Sequence, residues 1–160
     1  MTNTSPLLPT RDLAEEKQVV ARLVTTLQQE QTLLTGNGDA DDIPDVIGEK
    51  AKIIAEMARL ADQRHKLLAA AGFMASENGM QAWLLQHGTT ADKTLWDDLF
   101  ALAQTARELN RLNGMLVGKQ MAINQSALKI LQGHTGGAGA FYGPDGSSSM
   151  HNTGRPWGIG

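Results

Sequence analysis

The side chains that could do chemistry in this chain are four histidines and a modest set of carboxylates, because it contains no cysteine. Thiolate nucleophiles, disulfides and cysteine-ligated metals are thereby excluded. The histidines are His65, His87, His134 and His151. Asp62 and His65 share a helix face at a spacing of three. A di-metal helical bundle needs two Glu-x-x-His pairs and further glutamates, and that pattern does not occur in the sequence. His65 therefore reads as a polar-face residue. Asp39, Asp41, Asp42 and Asp45 gather four carboxylates on one turn, yet the turn glycine and closing glutamate of a calcium loop are missing. The other carboxylates mostly fall on solvated faces. The glycine run from Gly133 to Gly139 lacks the Lys-Ser/Thr and the helix that a phosphate loop requires, so it reads as linker. No enzyme, metal or cofactor is expected from these residues.

Composition points instead to helix packing. Aromatic residues make up only 4% of the chain, and its apolar residues are largely Ala, Leu, Ile, Val and Met. A net charge of −3 without a basic block argues against nucleic acid or an anionic membrane as the main partner. Neither a signal-like segment nor an 18-residue apolar run is present, so a soluble cytoplasmic protein without membrane insertion is expected.

Periodicity divides the chain into helices. Residues Met1 to Pro9 read as a loose arm. A first helix is expected to open near Thr10 or Asp12, where Asp12 and Glu15 have capping-box spacing. It carries Leu13, Val20, Leu27 and Leu34 at seven-residue intervals, widened by Leu23, Val24 and Leu33, and Gly36 stops it. A second opens at Asp42 or Asp45 with Pro44 in its first turn. Val46, Ile53, Leu60 and Leu67 repeat along it, flanked by Ile47, Ile54, Met57 and Leu68, up to Ala71-Gly72. The short polar turn between the two predicts an antiparallel hairpin. Ser76 caps a brief helix carrying Met80, Trp83, Leu84 and His87, ended by Gly88.

The stretch from Asp92 to Leu131 organises the rest. Leu95, Leu102, Leu109, Leu116, Ile123 and Ile130 recur every seven residues, over roughly 60 Å of helix. A helix this long needs a packing partner. Leu99, Ala106, Asn113, Gln120 and Ala127 form a second line, which turns small or polar beyond Asn110. Gly114 and Gly118 each cost about 1 kcal/mol of helix propensity relative to alanine. The front half reads as core. The back half has two readings: a frayed end whose polar layer fixes register, or an apolar side left for another protein. The last 28 residues hold nine glycines and cannot bury enough apolar surface to order themselves. Phe141, Tyr142 and Trp157 lie in that tail, as idle residues or as docking aromatics.

The expected fold is all-α: an elongated antiparallel hairpin or bundle of three long helices plus one short one. Residues 1–132 form the helical domain, with a flexible arm over 1–9. A disordered glycine-rich tail covers 133–160.

Two stretches together resemble the FlgN family of flagellar type III export chaperones. One is Leu112-Asn113-Gly114-Met115-Leu116 followed by Asn124-Gln125-Ser126-Ala127-Leu128 and Leu131. The other is Tyr142-Gly143-Pro144-Asp145-Gly146. Glu49-Lys50 with Ile53-Ile54, and Asp62-Gln63-Arg64, are similar to the family's second helix. The resemblance runs from about Leu13 to Gly146. It implies a cytoplasmic chaperone, without cofactor, that binds the hook-associated proteins FlgK and FlgL and brings them to the cytoplasmic domain of the export gate FlhA. In that light Leu109, Leu112, Leu116, Ile123, Ala127 and Ile130 are the expected cargo face, with Asn113 and Gln120 keeping it soluble. The resemblance assigns gate docking to Tyr142, Gly143, Asp145 and Gly146. Two other readings stay open: a structural coiled-coil protein that forms a homodimer with an inert tail, and a helical-bundle metalloprotein.

Overall fold

The structure, a computed structural model, describes residues 7–138, with side chains through Gly133. Four α-helices follow in order: α1 Leu13–Leu34, α2 Ile43–Ala70, α3 Glu77–His87 and α4 Thr90–Ala138. A 3₁₀ turn at Ala40–Asp42 precedes α2, and no strand occurs among the described residues. The fold is all-α, as the periodicity predicts. The chain divides into two compact units that part at Gly118 and Lys119.

Local chemistry sets the helix ends. Gly36 and Gly72 take φ of 81° and 82° just past α1 and α2, a left-handed conformation that glycine reaches without steric cost. Ser76 Oγ accepts from the Gly79 amide at 3.1 Å and starts α3. Asp12 precedes α1 but its side chain makes no cap hydrogen bond, so the expected box with Glu15 does not form. Arg11 holds that carboxylate instead, through Nε at 2.9 Å and Nη2 at 2.6 Å. These hydrogen bonds are the main reason the Asp12 carboxyl sits below the usual aspartate range.

The capping box that does form lies at α4, which begins two residues before the expected Asp92. The Thr89 amide donates to Asp92 Oδ2 at 2.9 Å, and the Asp92 amide donates to Thr89 Oγ1 at 3.1 Å. Thr89→Ala should therefore lower stability by about 1 kcal/mol, read as a shifted denaturant midpoint with unchanged slope. At its far end α4 continues to Ala138 rather than stopping near Leu131. Propagating a formed helix adds one hydrogen bond per residue. Gly133, Gly136 and Gly137 weaken that process, and without a proline they do not end it.

Long-range pairs fix the packing within residues 7–118. Arg64–Glu16 joins late α2 to early α1, Lys50–Glu30 joins early α2 to late α1, and Arg22–Glu56 joins their middles, so α1 and α2 are antiparallel. Lys17 meets Asp98, and Asn113 meets Leu27 and Glu30, so the front of α4 runs parallel to α1. Met80, Trp83 and Leu84 of α3 pack with Leu13, Leu68, Trp96 and Leu99 to close one end of the core. A second cluster of Val19, Leu23, Leu27, Ile53, Leu60 and Ala106 fills the middle.

The seven-residue lines drift on these helices. Seven residues of α-helix fall about 20° short of two full turns, so a strict heptad line drifts around the helix. On α2, Val46, Ile53 and Leu60 are buried, but the stripe then passes to Arg64 and Leu68 while Leu67 is only half-buried. On α4 the expected stripe of Leu95, Leu102, Leu109 and Leu116 is half-buried throughout. Its second line, Leu99, Ala106 and Asn113, lies deepest.

Candidate partner-binding surface

The candidates for chemistry are dispersed. His65 Nε2 stands 3.7 Å from Glu77 Oε1, and the His87 ring packs near Phe73 and Trp83. Asp39 caps the 3₁₀ turn by accepting from the Asp41 amide, and Asp41, Asp42 and Asp45 are exposed. Among the described residues no three His, Asp or Glu side chains converge on a possible metal position. His151 lies outside the described residues. The glycine run reads as linker in the sequence, but its first part, 133–138, has helical backbone.

Two buried polar groups depart from the expectation that the carboxylates are solvated. Glu16 is 5% exposed and accepts from Arg64 Nε at 3.1 Å. Burial is the main influence on its carboxyl and raises it above the ordinary glutamate value, against the pull of Arg64. Glu30 is equally buried and bridges Lys50 Nζ at 2.7 Å and Asn113 Nδ2 at 2.8 Å.

Asn113 corrects the expected cargo face. It is 2% exposed, and its amide also donates to the Leu27 carbonyl at 2.9 Å. A side chain held this way cannot keep an open face soluble. It pins α4 to α1, which is the register-fixing reading for a polar residue in a core line. Leu109, Leu112 and Leu116 flank it and are half-buried.

From Lys119 to Gly133 the situation reverses, and every side chain is exposed. Gln120, Ile123, Ala127 and Ile130 lie there as expected, with Ile123 58% and Ile130 62% exposed. At 100° per residue they share one half of the helix circumference with Met121, Leu128 and Leu131. Lys119, Gln125, Ser126 and Lys129 occupy the other half. Met121, Leu128 and Leu131 are absent from the expected face, yet they widen it from a seam to a broad apolar side. They too recur at seven, as Met121–Leu128, and as Val117–Leu131 with Asn124 interposed. Gly114, Arg107 and Asn110 break those lines upstream, so neither extends back far enough to stand out. Tyr142, Gly143, Asp145 and Gly146 lie outside the described residues, as does Trp157.

Such a surface can bind another polypeptide by burying aliphatic side chains. Among the described residues, no helix is long and apolar enough to cross a membrane.

Comparison with known proteins agrees with this picture. The Flagella synthesis protein FlgN of Salmonella typhimurium (strain LT2) is 21% identical over 137 residues, which cover 86% of this chain and 92% of that protein. The protein of the same name from Salmonella typhi matches to the same extent. No solved structure matches. The family model described as FlgN protein matches residues 9–149. With most of its length so matched, the chain belongs to the FlgN family, a family of flagellar chaperones and not of enzymes.

Proposed function

We propose that this protein is a cytoplasmic chaperone of flagellar type III export that binds the hook-associated proteins FlgK and FlgL and delivers them to the export gate. The observation that carries the reading is the apolar side of α4 between Gln120 and Leu131. Met121, Ile123, Leu128, Ile130 and Leu131 are all more than half exposed there. Aliphatic groups held in water on a helix gain about 1.5–3 kcal/mol each when a partner buries them. A few such contacts leave useful affinity after ordering costs. Gln120 and Asn124 interrupt the apolar side and keep it soluble when empty. Leu109, Leu112 and Leu116 contribute at most their half-buried edges, and Asn113 contributes nothing to cargo.

Mixing the purified protein with FlgL on a sizing column tests the reading. Co-elution at defined stoichiometry is expected. Self-association without a complex would favour a structural homodimer joined through the same side chains.

For delivery, the proposed contact with the FlhA cytoplasmic domain is Tyr142 with Gly143, Asp145 and Gly146. Tyr142→Ala should weaken gate binding about tenfold or more, as loss of an aromatic anchor does, with helicity and cargo binding unchanged. Gate binding at wild-type strength in a pull-down or by calorimetry would remove Tyr142 from that role.

A further inference from the structure

Asn113 is the last buried side chain of α4 among the described residues, and Leu116 is the last half-buried one. From Val117 to Gly133 every side chain is exposed, so burial adds little to the stability of that length of helix. Isolated helices of about 12–15 residues are marginal in water even when alanine-rich.

Local propensity does not make up the difference. Ile123, Asn124, Ser126 and Ile130 are weaker helix formers than Ala122, Ala127 or Leu128. No acidic residue occurs between Glu108 and Asp145, so Lys119 and Lys129 have no carboxylate one turn earlier to support them.

Gly114 and Gly118 stand at the entrance to this stretch. A Cβ added at either would meet nothing within 4 Å, and neither has a positive φ. The fold itself therefore does not require glycine at these positions. Each nonetheless lowers helix propagation about fivefold relative to alanine. Helix spreads outward from the turn that Asn113 pins to α1, so a loss at these two residues is passed to every residue beyond them.

We propose that residues 119–133 of the free protein are in a helix–coil equilibrium set by Gly114 and Gly118, and that a bound polypeptide draws them into helix. The second half of this proposal rests on the cargo reading given above; the first half does not. Met121, Ile123 and Leu128 share one side only when the segment is helical. The affinity seen by a partner is then reduced by the fraction of chains in which the helix is formed, and ordering offsets part of the contact energy.

Amide exchange of the full chain without any partner, read residue by residue by NMR, tests the equilibrium. Amides of residues 95–113 should be strongly protected, whereas those of 119–133 should exchange within about tenfold of the unstructured rate. Gly114→Ala combined with Gly118→Ala should raise protection over 119–133 severalfold and leave 95–113 nearly unchanged. Protection over 119–133 equal to that of 95–113 in the wild type overturns the equilibrium. Low protection that the two alanines do not raise overturns control by the glycines. With saturating FlgL, 119–133 should become as protected as 95–113, and the double variant should bind FlgL severalfold more tightly. FlgL bound while 119–133 stays unprotected overturns the coupling. Failure of FlgL to bind at all would sink the cargo reading and the coupling with it, while the exchange pattern of the free chain still decides the equilibrium.

Discussion

On the proposed cargo reading, Ile123→Asp should abolish capture of a hook-associated protein while leaving the protein's own stability almost untouched. Ile123 is 58% exposed, and a surface substitution away from packed features usually changes stability by less than about 0.5 kcal/mol. In a complex the same position would carry a carboxylate into an apolar contact. The loss then combines the forfeited burial, about 1.5–3 kcal/mol, with the cost of desolvating a charge. A hundredfold drop in affinity or more follows, on the order of 3 kcal/mol. Leu128→Asp should behave in the same way, because Leu128 lies on the added half of the apolar side and is 56% exposed. Leu99→Asp supplies the contrast: at 6% exposed within the core, it should unfold the chain. Calorimetry against FlgL and thermal melts on all three variants separate these outcomes. Normal binding by both Ile123→Asp and Leu128→Asp would remove α4 from the cargo interface. A large fall in the melting temperature of either would mean that these residues serve the protein's own fold.

The contrast between Leu99 and Ile123 marks where the sequence was legible. Both lie on apolar lines of one helix, and periodicity treats them alike. What separates them is burial: Leu99 packs with Leu13, Met80 and Trp83, while Ile123 is 58% exposed, and a helical repeat does not distinguish the two. Helix existence, order and most ends were readable because their causes are local: Gly36, Gly72, Ser76, Pro44 and the lines of leucine and valine. The Thr89–Asp92 box is equally local, and its spacing could have been found. Asp12 shows the opposite limit, since a neighbouring arginine competed for the carboxylate that the spacing assigned to a cap. The buried ions were hidden for a different reason. Glu16 and Arg64 are separated by 48 residues in sequence, and only the antiparallel hairpin brings them together. Asn113 sits between the two cases. Its place behind Leu99 and Ala106 in a core line was visible, but its partners Leu27 and Glu30 were not.

Arg64→Met should be among the most damaging single substitutions in the helical domain. It would leave Glu16 buried at 5% exposure without its charge partner, a situation that typically costs 3–5 kcal/mol. The Arg64 contact with the Trp96 ring would vanish as well. The pH dependence identifies the cause. Burial already raises the Glu16 carboxyl above its ordinary value of 4.5, so the folded state holds that proton more readily than the unfolded state. The resulting contribution to stability is fully present below the unfolded value and is lost as pH rises through the folded one. Removing Arg64 takes away the group that opposes this rise, so the loss on going to neutral pH deepens. The deficit of Arg64→Met relative to wild type should therefore be greatest near about pH 7 and shrink toward about pH 4, where Glu16 is protonated in both. Adding Glu16→Leu to Arg64→Met removes the stranded charge and should recover much of the stability at neutral pH, since apolar replacement of a buried pair is often neutral or better. Denaturant titrations of the single and double variants at both pH values make the comparison. A deficit independent of pH, with no recovery in the double variant, would mean that Arg64 acts by filling space beside Trp96 and not by balancing Glu16.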